Sequence, residues 1–509
     1  MKKTLLALFL IFALCLPCFV GCDALKGETG PQGEQGIQNE GTDGLEFYPL
    51  SDGTYGVKKG TTRYLEEIVI PSTYNGKAVT QILDMGFMNA TNLKSIMIPD
   101  SVTCIGDDAF CNCASLTSIE IPDGVTNIGD YAFSGCTSLT SVEIPDAVTN
   151  IGDYAFSGCT SLTSVEIPDG VTNVGDYAFF ACDCLTSMVI PNSVESIGSY
   201  AFYNCTGLTS IEMPDSVTSI GSSAFSYCTR LKSVVISDSV TSIGGSVFSN
   251  CSRLTSIEIP DSVESIGFSA FSNCTRLSSV IIGDSVKCIG EFAFSECSSL
   301  TSVYISDIEK WCAIDFESYD ANPLLYANNL YLNGEIVTEL IIPEGVECIA
   351  DAAFFGCTSL TSVMIPGSVN SIGEDAFSHC SNLKSVYIND IEKWCAIGFE
   401  SNAANPLSYA NNLYLNGKLI TDLVIPEGVN SIGEWTFSEC GSMTSVVIPD
   451  SVTSIGQGAF YNCTNLATVT FKNPNGWQYE GVSISSSELS DPSISAAYLR
   501  DNYWDWKSS

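Results

Sequence analysis

The residues of this chain that could do chemistry recur at fixed intervals rather than gathering in one place. Thirteen of the 23 cysteines, from Cys113 to Cys463, each follow a phenylalanine by three positions. Thiols aligned in this way suggest disulfide formation or metal ligation. Successive units of a stack lie roughly 4.8 Å apart, within disulfide reach, but side chains leaving in register run parallel, and the dihedral near 90° that a disulfide needs would twist the stack. A zinc site needs thiolates that converge on a point, which a linear ladder does not supply. Free buried thiols and no metal site are expected. Asp100, Asp123, Asp146, Asp169, Asp215 and Asp261 follow a proline in unit after unit. Carboxylates at that spacing repel by roughly 0.9 kcal/mol in water. Each is therefore expected to accept backbone amides of its own turn, with a calcium ladder as the alternative.

General base chemistry has little to stand on. His379 is the single histidine of 509 residues, between Ser378 and Cys380, so the abundant serines have no imidazole to activate them. No P-loop, no dinucleotide glycine fingerprint and no His-Glu-x-x-His occurs. No catalytic residue, cofactor or metal follows from the sequence, which does not read as an enzyme. Twenty basic against 58 acidic side chains leave a net charge of −38, which argues against a nucleic-acid partner.

The elements that carry these residues are copies of one unit. Phe87, Phe110, Phe133, Phe156, Phe179, Phe202, Phe225, Phe248, Phe271 and Phe294 are each 23 residues apart. That period is the signature of a solenoid, in which no unit buries both its faces and each is stable only between neighbours. Within Leu139-Thr-Ser-Val-Glu-Ile-Pro-Asp the apolar positions have the spacing of a short strand, closed by Pro145-Asp146. Val148, Ile151 and Phe156 supply the rest of the interior, and Gly152 is expected to let the chain bend.

The Leu-x-x-Val-x-Ile-Pro, Ile-Gly and Ala-Phe-x-x-Cys pieces resemble the BspA-like branch of the leucine-rich repeats over about residues 65 to 470. The resemblance implies a right-handed repeat solenoid, mostly β and irregular with few short helices, whose Val-x-Ile strands form one parallel sheet on one face. It also implies a bacterial surface protein associated with adhesion to host matrix or to other microbes.

The step of 60 residues from Phe294 to Phe354 recurs from Phe377 to Phe437, and both gaps hold the same insert, near 307–337 and 390–420. Asp307 and Asp390 suit helix N-caps; Ile308, Trp311 and Cys312 share a helical face; Asn333-Gly334 and Asn416-Gly417 are hairpin turns. A short helix plus an extra strand is predicted. Trp311 and Trp394 belong to its core rather than to a carbohydrate platform.

Residues 1–21 read as an export signal, with Lys2 and Lys3 before an apolar run from Leu5 to Val20. Phe19-Val20-Gly21-Cys22 resembles the lipobox of bacterial lipoproteins, which implies a lipid on Cys22; Phe19 stands where leucine is usual, and a plain secretory signal is the alternative. Residues 22–44 form a glycine-rich stalk whose few Gly-x-y triplets do not suffice for a triple helix, so a monomer is expected. Residues 45–80, with Tyr48, Tyr55, Tyr64 and Tyr74, read as an N-terminal cap on a solenoid over 81–471. Residues 472–509, with Trp477, Tyr498, Trp504 and Trp506, close it as a C-terminal cap.

The middle residue of Val-x-Ile points out of the sheet and is free to vary. Along the stack it reads Met97, Glu120, Glu143, Glu166, Val189, Glu212, Val235, Glu258, Ile281, Tyr304, Ile341, Met364, Tyr387, Val424 and Val447. The row is acidic first and apolar later. Strand propensity alone would favour valine, isoleucine and tyrosine there, whereas a contiguous exposed apolar patch marks a partner surface. Ile281, Tyr304, Ile341, Met364, Tyr387, Val424 and Val447 are the candidate partner-binding residues, for a protein or other macromolecule, host matrix included. The rival reading is an acidic spacer of the cell envelope with no ligand.

Overall fold

The computed structural model describes residues 41–479, 482–501 and 505–508. The export signal and Cys22 lie outside them. The described chain is a solenoid of about 18 turns whose parallel strands stack in sequence order. Its outer ladder is made of strands of two to four residues such as Ser118–Glu120, Ser141–Glu143 and Ser164–Val165. Their register is one unit: Val142 lies opposite Ile119 on one side and Val165 on the other. Leu139, Val142 and Ile144 are buried and Glu143 is exposed, as the alternation requires.

Two further ladders complete each rung. The residues before Ile-Gly pair in parallel, as in Asn127–Ile128 with Asn150–Ile151, and form a second line of two-residue strands that the sequence reading treated as a bend. Gly152 serves this ladder: it has no left-handed φ, and a Cβ there would lie 2.6 Å from Asp130 Oδ1 and 2.8 Å from Asp130 N of the rung before. Close stacking of rungs, not bending, demands the glycine. The third ladder is a turn in which alternate amides point forward and backward. Tyr131, Phe133 and Gly135 donate to Asp153 O, Ala155 O and Ser157 O of the next rung, while Ala132, Ser134 and Cys136 donate three residues back. Tyr131 (φ 57°) and Gly135 (φ 72°) are left-handed in this turn.

The interior is a row of buried phenylalanines. Phe110 and Phe133 stack with ring centroids 5.3 Å apart, and the spacing repeats rung after rung. Each such pair contributes about 0.5–1.5 kcal/mol beyond the area it buries.

The inserts are rungs of the stack whose turns have become helical. After the strand Ser302–Ile305, the helix Ile308–Cys312 is capped by Asp307, whose carboxylate accepts from Glu309 N (2.7 Å) and Lys310 N (3.2 Å). Asp315–Phe316 then joins the second ladder beside Cys288–Ile289, and Leu330–Leu332 joins the outer ladder beside Ser302–Ile305. Asn333 and Gly334, both left-handed, turn the chain into the short arm Glu335–Ile336. The insert thus contains more than the predicted helix and strand. Trp311 and Trp394 are 1% exposed, and their indole N–H groups donate to Ala353 O and Thr436 O of the following rung.

At the N-terminal end Glu46–Pro49 pairs antiparallel with Tyr55–Lys58, and the outer ladder already begins at Glu67–Val69, paired with Ser95–Met97. At the other end Trp506–Ser508 pairs antiparallel with Ser454–Ile455 and covers the last rung of the second ladder; Trp477 and Trp506 are buried, and Trp504 lies outside the described residues.

Candidate functional site

The cysteine ladder is built for packing. All described cysteines are free, and the thiol of each of Cys113 through Cys297 at the repeat position donates to the phenylalanine carbonyl one rung back, as Cys136 does to Phe110 O (3.2 Å). Burial raises these thiols: Cys159 and Cys205 are pushed up to about 12. A buried, protonated thiol is neither nucleophile nor ligand. Among the described residues no three His, Cys, Asp or Glu side chains come close enough to hold a metal ion. His379 is exposed at a left-handed position (φ 61°), its ring 5.1 Å from that of Phe355.

The proline-following aspartates do not do what their spacing suggests. All six are exposed, and among the described residues only Asp261 accepts a backbone amide, that of Asp284 in the next rung (3.0 Å). The backbone closes the turn instead, as in Val148 N to Pro145 O (3.0 Å), so the side chain is left to solvent. The aspartates that bridge rungs are those two residues after the second-ladder isoleucine, following Ile-Gly at Asp107, Asp130 and Asp153 and Ile-Leu at Asp84. Asp107 N, Asp130 N, Asp153 N and Asp176 N donate to Asp84, Asp107, Asp130 and Asp153 at 2.7–3.1 Å. Their 23-residue recurrence was visible in the sequence; that they cross to the next rung depends on the second ladder, which was not.

The outer ladder presents the varied row on one surface. Glu143 lies in register with Glu120, and Glu258 with Ile281, the point where the row changes character. Ile281, Met364, Ile341 (65%) and Val424 (62%) are exposed; Tyr304, Tyr387 and Val447 are half-buried. The tyrosines are half-buried because the inserted rungs supply partners. Tyr304 stacks on Tyr331 and Tyr387 on Tyr414, each with centroids 4.7 Å apart. The inserts extend this face from within, so Tyr331 and Tyr414 join the candidate set. The arm Glu335–Ile336 and the strand Glu339–Ile341 border a groove of about 300 Å³ lined by Ile308, Leu332 and Ile341. At the equivalent place in the second insert Asp422 accepts from Ser445 Oγ and Thr421 Oγ1, which holds its carboxyl below the usual range.

A second aromatic row runs along the alternating turn. Tyr131, Tyr154, Tyr177 and Tyr200 occupy the left-handed position of the alternating turn and stack face to face at 4.4–4.6 Å. Their faces are consumed by one another, so they brace the turn and leave no ring face between rungs for a ligand.

Comparison with known proteins agrees with this architecture. The model of the BspA type leucine-rich repeat region matches residues 80–209, 195–319, 327–406 and 407–495. A leucine-rich repeat protein from Bacteroides ovatus is similar at 28% identity, over 84% of this chain and 93% of that one, with a TM-score of 0.50. A leucine-rich cell surface protein from Faecalibacterium prausnitzii is 32% identical over 71% of this chain and 97% of its own, with a TM-score of 0.41. No functionally curated protein matches. With the family model covering most of the solenoid, the chain belongs to the BspA-type leucine-rich repeat family.

Proposed function

We propose that this is a lipid-anchored, surface-exposed binding protein, adhesin-like and without catalysis, which recognises a protein of a host or of a neighbouring cell through the outer strand ladder. The observation that carries this reading is the change of the outward row at Ile281 from mostly glutamate, interrupted by Val189 and Val235, to aliphatic residues and two stacked tyrosine pairs, while the repeat phenylalanines stay buried throughout. Tyrosine is among the residues that most often supply interface energy, and exposed apolar side chains in neighbouring rungs exceed what scattered surface residues present. Anchoring rests on Cys22 and its resemblance to a lipobox. Among the described residues no helix is long and apolar enough to cross a membrane. The spacer reading draws on the near-identical acidic rungs around Glu120, Glu143 and Glu166, which offer length and charge but no distinct feature.

A screen of the intact chain against matrix proteins and whole cells tests the function. Saturable binding that is lost in Tyr304→Ser/Tyr387→Ser supports it, and no binding to any of them leaves the spacer. Cys22→Ser tests the anchor separately: release into the soluble fraction and loss of fatty-acid labelling are expected, and unchanged membrane partitioning contradicts it.

A further inference from the structure

Arg230, Arg253 and Arg276 hold the same place in three consecutive rungs, between the repeat cysteine and the strand leucine, where other rungs carry Ser138, Ser161, Gly207 or Ser299. They are three of only five arginines in a chain of net charge −38. All three are exposed. The ion pairs among the described residues involve Lys94, Lys287, Lys472 and Arg500, and none of these three. The backbone that carries them is held in register: Ser252 Oγ donates to Thr229 O and Thr275 Oγ1 to Ser252 O, each at 3.5 Å. Lys232, also exposed and outside any ion pair, adds a fourth positive charge beside Arg230. Three guanidinium groups with roughly 4.8 Å between rungs repel one another, and among the described residues no carboxylate forms an ion pair with them.

We propose that Arg230, Arg253 and Arg276 form a docking stripe for a linear polysaccharide bearing sulfate or carboxylate groups, laid along the stack axis. A guanidinium fork pairs bidentately with such oxyanions, and a row of forks at the rung spacing matches acid groups repeating along an extended chain. A nucleic-acid duplex, at one charge per about 1.7 Å of axis, would press many more negative charges against Glu212, Asp215, Glu258 and Asp261 in and beside these rungs. A glycan with sparser acid groups meets the stripe with less overhang. The stripe is independent of the tyrosine pairs, so either site can fail without the other.

The test is equilibrium binding of the full chain to heparin, to polygalacturonate and to a double-stranded DNA oligonucleotide at roughly 0.15 M salt. Binding to at least one glycan is expected, weakened about tenfold or more in Arg230→Gln/Arg253→Gln/Arg276→Gln, with the salt dependence flattened by about three contacts. Heparin against polygalacturonate distinguishes sulfate from carboxylate. The corresponding triple lysine variant should retain only part of the affinity, because it keeps the charge and loses the fork. The melting temperature of each variant, expected to be unchanged for exposed side chains, separates lost binding from lost folding, and the three single variants should show graded losses. Failure of both glycans to bind, an unaffected triple glutamine variant, or DNA binding as tightly through the same arginines overturns the proposal.

Discussion

The rungs from Phe110 to Phe271 and those from Phe294 to Phe460 are built on the same interior and differ in what they show to solvent. In the first stretch the outward strand row is mostly glutamate and the turns are uniform; in the second it is aliphatic and aromatic, and two rungs have helices in place of turns. Where repeat phenylalanines stack, the spacing is the same in both stretches, 5.3 Å for Phe133–Phe156 and for Phe354–Phe377, and the inserted rungs put Trp311 and Trp394 between such pairs. The inward residues set the fold because every rung must meet its neighbours in register, whereas the outward residues are held by nothing but strand propensity. Function can therefore drift along the stack without disturbing its construction.

If the two stretches share one kind of core, truncating it should cost the same in both. Phe202→Ala and Phe377→Ala remove fully buried rings and are each expected to destabilise by about 3–5 kcal/mol, read as midpoints of denaturant unfolding. A much smaller loss in one of them would mean that its stretch is more loosely packed. The helical rungs offer a more local handle. Asp307→Ala removes an N-cap that accepts two amides and should cost about 1 kcal/mol, confined to the first insert, with protection of the amides of Glu309 and Lys310 from hydrogen exchange reduced.

The thiol ladder runs through both stretches and gives a pH test. Burial holds Cys113, Cys159, Cys205 and Cys297 up at about 12, against 9.0 for an ordinary thiol. Above pH 9 the unfolded chain loses these protons first, so stability is fully present below about 9 and falls as pH rises toward 12. Alkylation of the native protein should mark the exposed Cys184 and Cys348 and spare the buried ladder until denaturant is added. Early labelling of Cys136 or Cys159 would contradict the packing.

Much of this was legible in the chain. The 23-residue spacing of Phe87 to Phe294 and the alternation in Leu139-x-x-Val142-x-Ile144 are local signals, and they gave the strand ladder and its buried face. The second ladder at Asn150–Ile151 was not legible, because a two-residue strand has no periodicity of its own and exists only through its neighbours. For the same reason Gly152 looked like a bend, and Asp130, whose carboxylate serves the next rung, passed unnoticed beside the more conspicuous Pro-Asp pairs. The stacking of Tyr331 on Tyr304 needed the insert to be a rung, which its sequence, rich in helix signals, did not reveal.

Which stretch of the outer row engages a partner is decided by one comparison. For a partner found with the native chain, equilibrium binding is measured at low and high salt for Tyr304→Ser/Tyr387→Ser and for Glu120→Gln/Glu143→Gln/Glu166→Gln. The tyrosine pair is predicted to cost at least about 1 kcal/mol, nearly independent of salt, and the glutamates less. A neutral tyrosine pair with glutamates whose loss weakens binding in a salt-dependent way would place the interface on the acidic stretch and contradict the assignment.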